Sequence, residues 1–287
     1  MRLAHSETTP WTAVPPVRGG TITFKTMLEG DENTPDNYQL LLANTDLSFK
    51  SPRHRHNFDQ LRFSLVGATN IGVKRNLEQG DLAYFPEGTY YGPQDQESVG
   101  KESLAMVVQF GGPSGNGYMS MRQMGDSFDR LQREGRFEDG VFKRNAPAPG
   151  GRVNQDSYEA IWERQNGRPV TYAKPRFMDP VHFREPNFEW QLLPGHTGVA
   201  TKHIGSFTEK GVAVFFVRLD AGANYTLPAA PQTQLVFIKD GTGTFGNGEP
   251  WFKHSAVHLS AGESAQMQGA SLTEAVVLQL PRLGSGT

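Results

Sequence analysis

Four positions near residue 60 recur in register more than half a chain later. His54, His56, Gln60 and Gly67 are matched by Pro228, Ala230, Gln234 and Gly241, each pair 174 residues apart. Gly80 is matched by Gly262, so the later copy carries eight additional residues between its glycines, among them the turn signal Gly246-Asn247-Gly248. A frame kept over such a distance predicts an internal duplication. The residues inside the frame are β-like. Segments 21–24, 38–42, 61–66 and 105–110 in the first copy, and 212–217, 233–238 and 274–280 in the second, are short apolar runs. They are bounded by Gly, Pro, Asn or Asp, as strands separated by turns should be.

Between the copies the period changes. Segment 111–117 reads as a flexible breaker. Residues 119–134 are polar, with Met121, Met124, Phe128 and Leu131 spaced for one face of a helix, and 156–165 predict a second short helix carrying Trp162. A linker is expected at 146–151. The domain layout that follows is a first β unit at 1–118, a partly helical connector at 119–180 and a second β unit at 181–287.

Composition narrows the function classes. Lys plus Arg number 28 and Asp plus Glu 30, with no long basic block, so no nucleic-acid partner is expected. The absence of Cys excludes disulfides, thiolate zinc sites and a Cys nucleophile. The longest apolar stretch, at 212–217, falls far short of the roughly 20 residues that span a bilayer. No apolar secretory segment opens the chain. A cytoplasmic protein with a small-molecule partner and no membrane partner is expected. Phosphate-binding loops, nucleophile elbows and zinc-protease helices are absent from the sequence.

The chemistry gathers at 54–62. In an extended strand, His54 and His56 point to one face, about 7 Å apart, where a barrel interior can bring further donors from neighbouring strands. Such a set suits Zn, Fe, Ni or Mn. The run His54-Arg55-His56-Asn57-Phe58-Asp59-Gln60, with Gly67 after it, resembles the first motif of the cupin superfamily. Gly80-Asp81-Leu82-Ala83-Tyr84-Phe85-Pro86-Glu87-Gly88, ending on Tyr91, resembles the second. The duplicated frame extends the resemblance to a bicupin whose C-terminal cupin domain is degenerate.

The resemblance implies an all-β fold of two antiparallel cupin barrels. It also implies one divalent transition metal (Fe, Zn, Ni or Mn) per chain, held by His54, His56, Gln60 and Tyr91. A metal-dependent enzyme acting on a small organic molecule is then expected, an oxygenase of dioxygenase type or a carbonyl-polarising isomerase or lyase. The alternative is a non-catalytic small-molecule-binding or structural bicupin. Two positions depart from the family pattern: Gln60 stands where Glu is usual, and Tyr91 where His is usual. Tyr91 is either a phenolate ligand or a free phenol acting as acid or base. In the second case it contributes more to turnover than to metal affinity. Arg62 shares Gln60's inward face and either holds a substrate carboxylate or enolate, or pairs with an internal acid such as Asp81. His182, His196 and His203 have no ligand spacing, and His254 and His258 are expected in loops. Pro228 and Ala230 replace the histidines in the second half, so no metal is expected there. That half remains free to pack, pair strands or form a homodimer.

Overall fold

The computed structural model describes residues 1–15, 17–148 and 150–282. Pro149 of the expected linker, and 283–287 of the expected second domain, lie outside the described residues. The chain divides into two compact units. One comprises Trp11–Lys25 and Glu29–His182; the other comprises Met1–Pro10, Thr26–Leu28 and Phe183–Thr287.

The strands of the first unit are β1 (Ile22–Glu29, apart from its Thr26–Leu28), β2 (Tyr38–Thr45), β3 (Asp59–Gly72), β4 (Arg75–Glu78), β5 (Asp81–Phe85) and β6 (Ser103–Phe110). Their sheet runs in the order β5–β3–β6–β2–β1, with β4 paired to the far end of β3. The connector helices belong to this unit. Helix α1 (Met121–Leu131) starts at Ser120, whose hydroxyl accepts from the Gln123 N–H while the Gln123 side chain accepts from Ser120 N–H. Helix α2 (Ser157–Asn166) is capped by the Asp156 carboxylate and ends at Gly167. Both helices bury their apolar faces, Phe128 and Leu131 from α1 and Ile161 and Trp162 from α2, in a cluster with Phe58 and Tyr118.

The second unit has β7 (Val199–Ser206), β8 (Ala213–Leu219), β9 (Asn224–Leu227), β10 (Gln234–Asp240) and β11 (Gly243–Phe245). After them come β12 (Ala256–Leu259), β13 (Ala265–Gly269) and β14 (Thr273–Gln279). One sheet runs β12–β10–β14–β8–β7, the same sequence of positions as β5–β3–β6–β2–β1, and β9–β13–β11 form the other. The described residues are therefore mostly β, with two α-helices among them, and the neighbouring strands of these sheets pair antiparallel.

The framing glycines have one cause in both units. Gly67 adopts φ 70°, and a Cβ there would lie 2.1 Å from the carbonyl oxygen of Glu102. Gly241 adopts φ 99°, and its Cβ would lie 2.5 Å from the Leu272 carbonyl oxygen. Both sit beside a register shift in the ladder, at Leu104/Ala105 and at Ile238/Asp240. Left-handed backbone and close strand approach together admit only Gly. Gly67→Ala is expected to destabilise the protein by about 2–4 kcal/mol, combining left-handed strain with displaced backbone. A denaturant titration checks this, and a loss below about 1 kcal/mol would show that the ladder yields easily.

The two interiors differ in content. In the second unit Tyr225, Phe245, Trp251, Val257, Leu259 and Met267 fill the space between the sheets. The Phe245 and Trp251 rings meet at 4.7 Å between centroids. The first unit leaves a cavity of about 240 Å³.

Candidate active site

The cavity of the first unit is lined by Arg18, Ile22, Phe24, His54, His56, Phe58, Gln60, Arg62, Tyr91, Met124 and their neighbours. The histidines do not lie in a regular strand, which corrects the expectation of simple strand alternation. Pro52, just upstream, has no N–H to extend a ladder, and β3 starts only at Asp59. A single antiparallel bridge holds the segment instead. The His54 N–H donates to Tyr91 O at 3.0 Å, and the Tyr91 N–H donates to His54 O at 2.9 Å. The rings still share one face, with centroids 5.0 Å apart.

Hydrogen bonds then order the side chains. His54 Nδ1 lies 2.7 Å from the carbonyl oxygen of Pro52 and 3.2 Å from Ser51 Oγ. A carbonyl only accepts, so Nδ1 carries the proton and Nε2 presents a lone pair. The Tyr91 hydroxyl donates to that lone pair at 2.9 Å, and His56 Nε2 stands 3.5 Å from the same oxygen. Arg62 Nη2 donates to the Tyr91 oxygen at 3.0 Å, and Arg62 Nε donates to Gln60 Oε1 at 2.6 Å. His56 stacks on Phe58 at 4.3 Å between centroids.

Burial sets the protonation states. It holds both imidazoles well below the usual histidine range, and the Arg18 and Arg62 guanidiniums push the same way. Burial also raises the Tyr91 phenol, against the pull of Arg62 and Arg18. The Arg18 charge is matched by Asp156 at 2.9 Å. For Arg62 the surroundings are the Phe85 and Tyr91 rings, 4.8 and 5.3 Å from its guanidinium carbon, and the two hydrogen bonds above. The expected alternative of a pair with Asp81 is not what forms: Asp81 is taken by His182 Nε2 at 2.8 Å.

Of the adjacent tyrosines, Tyr91 is buried and Tyr90 is exposed beneath Arg53 and Arg55. His258 lies in β12 rather than in a loop, because the additional residues of the second copy are used up in the preceding turns. His254 does occupy a turn, at φ 62°.

Asp59 faces away from this cluster. Its carboxylate accepts from Tyr84 OH and from the Glu87 N–H, both at 2.8 Å. Burial pushes it up to about 7 from 3.8, with the nearby Glu87 charge adding to the effect. A folded acid that binds its proton more tightly than the unfolded chain loses stability as pH rises from about 4 to about 7. The loss has a ceiling of about 4 kcal/mol, three pK steps at about 1.4 kcal/mol each. Thermal unfolding should therefore show Tm falling between about pH 4 and 7, and Asp59→Asn should flatten that slope. An equally steep slope in the variant would locate its source elsewhere.

Arg18 and Tyr158 carry no sequence signal of their own; they reach the cavity from the segment before β1 and from α2, and Asp156 at the cap of α2 pairs with Arg18. Phe58 had a signal, since it continues the alternation of His54 and His56.

No family model matches the chain, and no curated protein matches it. Solved structures do. A provisionally assigned dioxygenase from Nostoc punctiforme superposes with a TM-score of 0.65 at 10% identity, covering 100% of this chain and 84% of the other. HEPD of Streptomyces albus, solved with 2-hydroxyethylphosphonate and Fe(II) bound, gives 0.58 at 10% identity, covering 99% and 76%. A variant of oxalate decarboxylase from Bacillus subtilis gives 0.56 at 12% identity, covering 98% and 78%. The fold is cupin-type. At these identities the likeness concerns the cupin fold alone.

Among the described residues, no cluster of three or more His, Asp or Glu side chains could hold a metal ion. A metal in this cupin barrel would therefore need a third donor of another kind. Ligand bonds of about 2.0–2.2 Å set neighbouring donors about 3.0–3.5 Å apart. Two of the three donor separations, 2.9 and 3.5 Å from the Tyr91 oxygen to the two Nε2 atoms, lie near that spacing. The Gln60 oxygen, expected as a ligand, accepts from Arg62 Nε in this structure. The donor set of two neutral imidazoles and one phenol oxygen thus fits a transition metal, provided that the phenol ionises.

Proposed function

We propose that the first barrel is the active site of a metal-dependent enzyme acting on a small organic molecule. In this reading His54, His56 and Tyr91 hold one divalent transition metal per chain, and the second barrel is a degenerate partner without a metal. What supports it is the convergence of three donor atoms in a cavity of about 240 Å³, just below the about 300–1,000 Å³ typical of drug-sized ligands. Three protein ligands leave coordination positions open, and a bound ion there supplies Lewis acidity and, for iron or manganese, redox chemistry. An oxygenase is the reaction type we favour, because the similar folds include the provisional dioxygenase and the Fe(II)-bound HEPD.

The chain's own groups have definite tasks in this proposal. Pro52 O fixes the His54 tautomer, as an outer hydrogen bond to a ligating imidazole does. Arg62 stabilises the Tyr91 phenolate by a charge-assisted hydrogen bond. Phe58, stacked on His56, keeps that ring in place and water away from it.

Elemental analysis of the protein as purified, followed by titration with Fe(II), Zn(II), Ni(II) and Mn(II), tests the reading. Close to one ion per chain is expected. Protein that binds none of the four overturns it in favour of a non-catalytic binding role.

A further inference from the structure

We infer that this pocket takes a small organic acid, with its anionic head on Arg62 and an apolar body against the opposite wall. The inference rests on the cavity being the active site, as proposed above, but not on the metal.

Charge balance carries it. Arg18 is neutralised by Asp156. His54 Nδ1 faces the Pro52 carbonyl and its Nε2 accepts from the Tyr91 hydroxyl, so this pair brings no counter-charge. Two of the five N–H donors of Arg62 go to the neutral Gln60 amide and the Tyr91 hydroxyl, and its face is covered by Phe85 and Tyr91. Asp59 and Asp81, the carboxylates nearest to it along β3 and β5, are committed elsewhere, to Tyr84 and the Glu87 N–H and to His182. The site thus carries one guanidinium without a counter-charge among the described residues. A bound divalent ion with a Tyr91 phenolate would add a further positive charge. In both states the excess is cationic, and a half-buried charge without a partner ion is costly. An anion is the ligand that removes that cost.

The rest of the wall sets the body of the ligand. Val17, Ile22, Phe24, Phe58 and Met124 line the cavity. None of them offers a side-chain hydrogen bond, so a free inorganic anion would leave this surface uncovered. Alkyl or aryl carboxylates combine the two features, and the guanidinium fork suits a carboxylate head.

Calorimetric titration with benzoate, phenylacetate and hexanoate, each paired with its neutral amide, tests the inference. The titration is run on chelator-treated and on metal-loaded protein, with acetate as the control lacking a body. At least one acid of the panel is expected to bind about tenfold to a hundredfold more tightly than its amide, as a charged hydrogen bond allows. Acetate should bind far more weakly than that acid. Arg62→Gln should erase the acid preference while amide binding persists, which also reports an intact pocket. Arg62→Lys should retain part of the preference. Equal binding of every acid and its amide, or a preference that survives in Arg62→Gln, overturns the inference; so does an Arg62→Lys variant no different from Arg62→Gln. Acid preference in protein that takes up no metal would sink the metal reading alone. Metal uptake without acid preference would sink this one alone.

Discussion

Replacing His54 and His56 together by Ala is expected to lower metal affinity by well over about a hundredfold while the protein still folds. Loss of a mere outer hydrogen bond to a ligand costs about 10–100-fold in affinity, and here two of three ligands disappear. The remaining phenol cannot hold an ion alone, because its ionisation is opposed by burial. The fold should survive for a separate reason. Of the packed clusters of the first unit, Leu41, Ala43, Ala105 and Val107 contain neither histidine, and Ile71, Leu77, Ala83, Phe85 and Tyr91 meet His54 through the Tyr91 ring. The variant leaves the Tyr91 hydroxyl without its acceptor and Phe58 without its stacked ring, a cost of about 1–3 kcal/mol for the hydroxyl alone. That is a fraction of the about 5–15 kcal/mol typical of a native protein. Elemental analysis after dialysis and circular dichroism read the two effects separately. Stoichiometric metal in the double variant would exclude these histidines as ligands.

The frame around these histidines shows how much of the fold is legible in the amino-acid sequence. Gly67 and Gly241 announce a repeated β unit, because each occupies a left-handed turn pressed against an opposing strand, and no other residue can stand there. Positions forced by backbone geometry leave a mark that composition does not blur. Helix α1 is legible for a similar reason, with Phe128 and Leu131 on its buried face. What stays hidden depends on contacts between distant segments. Nothing in the run around Arg18 says that it will meet Asp156 across 138 residues. Nor does any spacing say that the Gln60 oxygen will accept from Arg62 Nε. The Arg62–Asp81 alternative fails because His182, at the end of the connector, reaches Asp81. Local periodicity carries no information about such competition.

Tyr91→Phe carries the second large effect, and it separates the two readings of the phenol. The ring is held by Phe85 at 4.7 Å and His54 at 4.3 Å between centroids, so the substitution deletes the hydroxyl and keeps the packing. The hydroxyl oxygen stands between His54 Nε2 and His56 Nε2, with the guanidinium of Arg62 behind it. As a ligand it supplies the one negative charge available to the ion among the described residues, since no carboxylate joins the cluster. Loss of that charge is expected to lower metal affinity by more than about a hundredfold, a larger effect than removing any outer partner. Binding must also expel the phenol proton, because the ligand has to be deprotonated. Adding Zn(II) to the wild-type protein should therefore release a proton and produce the ultraviolet difference band of tyrosinate, and Tyr91→Phe should show neither. Arg62→Gln should bind metal more weakly while keeping the band, because it removes only the support of the phenolate. If Tyr91→Phe instead keeps its metal and loses turnover, the phenol works as an acid or base beside the ion. The ion would then have to be held by the two imidazoles and groups brought by the substrate, which the neutral donors of this pocket make a far weaker arrangement.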